Sequence, residues 1–195
     1  AHFSHSGKLI LTASGDKTAR IWEVSTGALL RTLSGHQSGL RDAVFSQDDQ
    51  RILSVGDSDH ALRLWEANSG QPLTTVQGAP FDNVLARYRP DGKRILTSDS
   101  DHSLKIWDGQ GMELLRMLPT SSQQINTAFW SADGTRILSG TEDGISIWHP
   151  DTGERLLAID QHAGGSQSPF ETAELSPDKA HIASPIIGAT KMDHL

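Results

Sequence analysis

The sequence predicts an all-β chain assembled from repeated four-stranded antiparallel units. Two observations carry that prediction. A strand–turn–strand passage recurs four times, as Leu9 to Trp22, Arg51 to Trp65, Arg94 to Trp107 and Arg136 to Trp148. Apolar residues alternate at period two throughout, and no helical period competes with them. A lone hairpin cannot bury its apolar face in water. A chain that repeats one at even spacing therefore buries each copy against its neighbours.

The elements follow in order within each unit, as strands a to d. Strand a ends on a large residue at Phe3, Phe45, Tyr88, Trp130 and Leu175. A turn comes next (SHSGK, SQDDQ, RPDGK, SADGT, SPDKA), where Asp-Gly and Pro-Asp are hairpin chemistry because Gly takes positive φ cheaply. Strand b opens on Ile10, Ile52, Ile95, Ile137 and Ile182, at steps of 42, 43, 42 and 45 residues. A polar turn leads to strand c, which closes on Trp22, Trp65, Trp107 and Trp148; the fifth unit has no such Trp. A Gly-bearing turn then precedes strand d: ALLRTL, PLTTV, MELLRML, ERLLAI. The units are 1–34, 35–77, 78–119 and 120–160, with a fifth, partial one over 161–195. Unit one lacks most of strand a. In unit five the pattern stops at Ser184, because Pro185 has no N–H for a ladder. The closing Asp193-His194-Leu195 resembles the Asp-His turn before strand c, so the chain is expected to end within a unit.

Composition narrows the function. The net charge is −7 over 195 residues. That disfavours neutralising nucleic-acid phosphates or docking on an anionic membrane, and favours a basic partner. There is no Cys, so disulfides and thiolate metal sites are out and a cytoplasmic setting fits. No run of about 18 apolar residues marks a membrane helix. The start, AHFSHSGK, has no signal-peptide pattern. It lies inside the repeat, so the chain is expected to be a piece of a longer protein.

The Gly35-His36 pair, the Phe-Ser-x-Asp-Gly-like turns and the apolar-Trp-acidic close together resemble the WD40 repeat family. That close reads Ile21-Trp22-Glu23, Leu64-Trp65-Glu66 and Ile106-Trp107-Asp108, with Ile147-Trp148-His149 as a departure. The resemblance implies a β-propeller of WD40-type blades, here a partial or open propeller of about four to five blades. Three closures compete: a fragment of a seven-blade ring, a four-blade ring in which strand a of unit five completes unit one, or an assembly of two chains.

The resemblance also implies a buried hydrogen-bond set in each blade. Unit two carries it whole, as His36, Ser54, Asp59 and Trp65. Unit one keeps Thr12, Asp16 and Trp22; unit three keeps Thr97, Asp101 and Trp107, with Ala79 where His belongs. Unit four keeps Ser139, Asp143 and Trp148, and unit five keeps His162 and Ser184. Units three and four, each lacking its His, are expected to be looser.

The family's working surface is one face of the propeller. Its rim positions match Arg41, Ser58, Asp82, Ser100, Asn126 and Glu142, and Arg41 and Asp82 are the charged pair expected to steer partner choice. The function implied is a non-enzymatic scaffold that binds a protein or peptide there. The alternatives are a regulatory or sensor repeat region of a larger signalling protein and, remotely, a propeller enzyme.

Other chemistry is weighed against blander readings. Ser54, His36 and Asp59 have the residue types of a hydrolase triad, but their positions belong to the blade core. Asp57, Asp59, His60, Asp99, Asp101 and His102 have metal-ligand chemistry, yet Asp and His are ordinary in turns. Ala163-Gly164-Gly165-Ser166 opens no helix and is no phosphate loop. No metal or cofactor is expected, and self-association is expected only if the propeller is open.

Overall fold

The computed structural model describes residues 1–77, 85–98, 102–120, 125–141, 144–160, 174–175, 181–184 and 188–191. All of its regular elements are strands. Sheet 1 holds β1 (His2–Phe3), β2 (Leu9–Ala13), β3 (Thr18–Glu23) and β4 (Leu29–Ser34). Sheet 2 holds β5 (Leu40–Phe45), β6 (Arg51–Gly56), β7 (Ala61–Glu66) and β8 (Pro72–Gln77). Sheet 3 holds β9 (Leu85–Tyr88), β10 (Arg94–Ser98), β11 (Leu104–Asp108) and β12 (Leu114–Leu118). Sheet 4 holds β13 (Ile125–Trp130), β14 (Ile137–Thr141), β15 (Gly144–Trp148) and β16 (Arg155–Asp160). In each, sequence neighbours pair antiparallel, so every sheet is a meander.

A fifth sheet holds β17 (Glu174–Leu175), β18 (His181–Ser184) and β19 (Gly188–Lys191). Two expectations are corrected here. A third strand follows Pro185, pairing Ser184 with Gly188 and His181 with Lys191. Strand β18 ends at Ser184 and β19 begins at Gly188, so neither strand includes a residue without an N–H. The four-blade closure also fails: β17 pairs with β18, and β1 already lines the free edge of β2, with His2 opposite Leu11 and Phe3 opposite Ile10. The closing Asp193-His194-Leu195 lies outside the described residues.

The core sits between sheets. Side chains alternate across a strand, so the Ile-Leu pair of each strand b divides between two junctions. Ile52 packs back against sheet 1 with Phe45 and Trp65, meeting Leu11, Ile21 and Leu33. Leu53 packs forward with Leu62 and Leu64 against Ile95 and Trp107 of sheet 3. Leu96 points forward again, against Ile137, Trp130 and Trp148 of sheet 4. Ile52 and Leu53 are both fully buried. Each such side chain contributes about 1.5–3 kcal/mol, more than a hairpin supplies for itself.

A β-bulge precedes every repeated Trp, at Ile21/Trp22, Leu64/Trp65, Ile106/Trp107 and Ile147/Trp148. The extra residue lies in strand d, at Leu30, Leu73, Leu115 and Leu156, so it is strand d that bends opposite each Trp. The backward face of sheet 1 is uncovered: Phe3 is 66% exposed, whereas its counterpart Phe45 is 4% exposed.

Candidate functional site: a sealed hydrogen-bond chain and the rim above it

In sheet 2 one hydrogen-bond chain crosses the blade. Trp65 Nε1 donates to Ser54 Oγ at 2.8 Å, Ser54 Oγ lies 2.8 Å from His36 Nε2, and His36 Nδ1 lies 2.8 Å from Asp59 Oδ2. The carboxylate can only accept, so Nδ1 carries the proton and Nε2 accepts from the Ser54 hydroxyl. Every member is satisfied with His36 neutral. Burial holds the His36 imidazole below its ordinary value and outweighs the pull of Asp59. Burial alone would raise the Asp59 carboxyl. The N–H groups of Gln37, His36 and Ala61 overrule it and hold Asp59 below the usual carboxylate range.

The four repeated Trp residues make the same hydrogen bond, although Trp22 is half-buried where the other three are buried. Trp22 donates to Thr12 at 3.0 Å, Trp107 to Thr97 at 2.9 Å and Trp148 to Ser139 at 2.9 Å. Asp16 stands apart from its expected group. Its carboxylate is half-exposed and binds Thr18 and Arg20; the one His of sheet 1, His2, is bonded to Asp42 instead. Asp101 and Asp143 lie outside the described residues, as do Ala79 and His162.

Above the chain, the b–c turn of sheet 2 and the start of β5 share one edge. Ser38 Oγ accepts from the N–H groups of Ser58 and Asp59, at 3.0 and 2.9 Å. Arg41 donates to Asp57 Oδ1 through Nε and Nη2, at 3.2 and 2.9 Å. A register shift between Leu40 and Asp42 makes Arg41 a bulge residue, and the same shift between Ile125 and Thr127 does so for Asn126. Bulges re-aim side chains. The structure thus brings Arg41 and Ser58 to one rim and gives Asn126 the equivalent station in sheet 4. The amide nitrogen of Asn126 is buried with no partner. Asp82, Ser100 and Glu142 lie outside the described residues.

Sequence reasoning missed two things here. Asp57 appeared as turn chemistry, not as the partner of Arg41. Asp42 links the first strands of three sheets: His2 Nε2 sits 2.9 Å from one carboxylate oxygen, and Arg87 donates to the other at 2.6 Å. Although burial opposes it, these partners push the Asp42 carboxyl down to about 2. No within-unit spacing could reveal a contact between units.

The Asp-His turns have a backbone explanation. His60 and His102 have φ of 53° and 63°, and Lys17 holds the same station at 75°. They are left-handed turn residues before strand c. Asp99 and Asp101 lie outside the described residues, and among the described ones no three His or acidic side chains gather as metal ligands would.

Fold and site together define a β-propeller-type repeat protein, with blades joined by Trp-anchored junctions. The family model described as "WD domain, G-beta repeat" matches residues 1–23, 27–66, 70–108 and 112–149, and the chain belongs to the WD40 family. Each of the later matched stretches spans one fourth strand and the first three strands of the next sheet, so a family repeat straddles two blades. The chain is 48% identical over 52 residues to Nuclear distribution protein PAC1 of Arthroderma otae, covering 27% of this chain and 11% of that protein. It is 46% identical over 50 residues to a Denticleless protein homolog of Danio rerio, covering 26% and 8%. A PAC1 of Mycosarcoma maydis is 42% identical over 55 residues, covering 28% and 12%. The chain thus covers about a tenth of the length of these relatives. Among the described residues no helix is long and apolar enough to cross a membrane.

Proposed function

We propose that this chain is a non-enzymatic scaffold that holds a protein or peptide partner on the face carrying the b–c turns and the starts of the first strands. Arg41, Ser58 and Asn126 belong to that rim, with Asp82, Ser100 and Glu142 as its further members. The supporting observation is the pair of bulges that turn Arg41 and Asn126 out of their ladders at equivalent stations. WD repeats are the repeats of interaction scaffolds, and here the blades hold shape while the rim residues differ from unit to unit.

The sealed chain supports the non-enzymatic reading. Ser54, His36 and Asp59 have the distances of a hydrolase triad. Ser54, however, is fully buried and already takes the Trp65 N–H, so no acyl group can reach its oxygen.

The partner is basic, in keeping with the charge of −7; nucleic acid and membrane are not its targets. The location is cytoplasmic, which suits a chain without Cys. An open propeller would self-associate. A second reading is a regulatory repeat region of a larger signalling protein, and the length of the relatives favours it.

Charge reversal tests the rim. Arg41→Glu with Asp82→Lys should abolish partner capture in pull-downs and leave thermal unfolding unchanged. Capture that persists at full strength would sink the assignment of this face.

A further inference from the structure

At the end opposite the rim, the junction between sheets 1 and 2 lacks an arginine that the next two junctions carry. The residue before the repeated Ile is arginine in units two to four: Arg51, Arg94 and Arg136. Arg51 reaches the carbonyl of Gly109 in the next sheet at 3.5 Å, and Arg94 pairs with Asp151 in the next sheet. Both therefore bridge to the c–d turn of the blade that follows. In unit one the position is Leu9, and the counterpart of Asp151, three residues past the Trp, is Asn68. Both halves of the ion pair are missing between sheets 1 and 2. A groove of about 410 Å³ lies there. Leu9, Ile21, Leu30 and Ala67 supply its apolar floor, and Arg31, Asp49 and Asn68 its polar wall.

We infer that this groove binds an arginine side chain from an extended segment of a basic partner protein, filling in trans the place that Arg94 fills in cis. The site is independent of the rim. The aliphatic stem of arginine lies well on an apolar floor while its head stays polar. Asp49 supplies the charge. Its two oxygens take the backbone N–H groups of His5 at 2.8 Å and Ser6 at 2.9 Å, and the His5 ring nitrogen Nδ1 lies 3.4 Å from Oδ1. Burial works against ionisation, but those N–H groups hold the carboxyl below its ordinary range, so it is charged at neutral pH.

Arg31 does not bar a second cation. Its Nε donates to the Asn68 carbonyl at 2.9 Å and its Nη1 to the Leu30 carbonyl at 2.6 Å. Between sheets 3 and 4, Arg116 holds the same station and donates to the Thr152 carbonyl at 3.2 Å, one residue past the Asp151 that pairs with Arg94. That junction already accommodates two guanidinium groups.

The test uses the full chain with labelled Leu and Ile methyl groups. N-acetyl-arginine amide, N-acetyl-leucine amide and N-acetyl-aspartate amide are titrated separately and followed by NMR. The arginine probe should shift the Leu9, Ile21 and Leu30 methyls saturably at millimolar concentration. The other two probes should leave them unmoved. Asn68→Asp should tighten the arginine probe roughly two- to fivefold, the gain of a partly exposed ion pair. Leu9→Arg with Asn68→Asp rebuilds the internal pair and should abolish binding without lowering Tm. The inference is overturned by stronger shifts from the leucine or aspartate probe, by arginine binding that survives in the double variant, or by no saturable shift with any probe. The rim pull-down reports separately, since none of these substitutions touches Arg41 or Asp82.

Discussion

Replacing Ser54 with Ala removes one oxygen and strands two other groups. The Trp65 indole N–H loses its acceptor, and His36 Nε2 loses its donor. Neither can turn to water, because Trp65 is 1% and His36 5% exposed. An orphaned buried polar group costs about 1–3 kcal/mol. Two of them, sharing whatever relaxation the site allows, put the loss at about 2–4 kcal/mol. For a chain of this length 1 kcal/mol moves Tm by about 2–4 °C, so a drop of roughly 5–15 °C is expected. Repeat arrays open unit by unit. Urea unfolding should therefore be read alongside hydrogen exchange, with the loss of protection centred on β6 and β7. A cycle with Trp65→Phe isolates the Ser54–Trp65 term, and its coupling should be about 1 kcal/mol or more. Ser54→Thr should cost less than Ser54→Ala, since Thr12 and Thr97 hold this position in sheets 1 and 3. A Ser54→Ala protein within about 0.5 kcal/mol of the parent would refute the account of the chain as a satisfied buried network.

The network yields two further expectations. A Cβ on Gly56 would stand 1.7 Å from Asp59 Oδ1 and 2.9 Å from His36 Nδ1. Gly56→Ala must therefore push the carboxylate out, at about 2–4 kcal/mol by chemical denaturation, and an unchanged midpoint would contradict the geometry. Acid should act in two windows. His36 is depressed in the folded chain, so its contribution is whole above its ordinary value of 6.5 and is lost as pH falls below that, where the unfolded chain gains a proton first. Asp59 and Asp42 are depressed as well, so their contributions are whole above 3.8 and disappear at lower pH. Stability followed against pH should show the first loss in the parent and not in His36→Gln; a flat profile from pH 7 to 5 would count against a neutral buried imidazole. At the junctions, Ile52→Ala and Leu53→Ala should each cost about 2–5 kcal/mol. Methyl shifts should move in sheet 1 for the first and in sheet 3 for the second; both responses on one side would overturn the opposed packing of that pair.

The repeat was legible because its signals are local. Strand alternation, Gly in turns and a Trp at constant distance from an Ile-Leu pair all lie within one unit. The buried set in unit two was legible through the resemblance to the WD40 family, which implies one place in each blade for each of its groups. Asp16 shows the limit. Its type and position match the pattern, but without a histidine beside it solvent and Arg20 hold it instead. At the rim, residue identity marked Arg41, while the bulge that aims it and the Asp57 that holds it depend on how β5 registers with β6.

Chain order alone established that this protein is a string of like hairpin units, because backbone geometry and side-chain alternation act over a few residues. Packing in space settled the rest: which face of Ile52 and Leu53 meets which sheet, the span of Asp42 across three blades, and a groove left where Leu9 replaces an arginine. Those depend on residues some forty positions apart, brought together when apolar faces leave water, and no spacing within a unit encodes them.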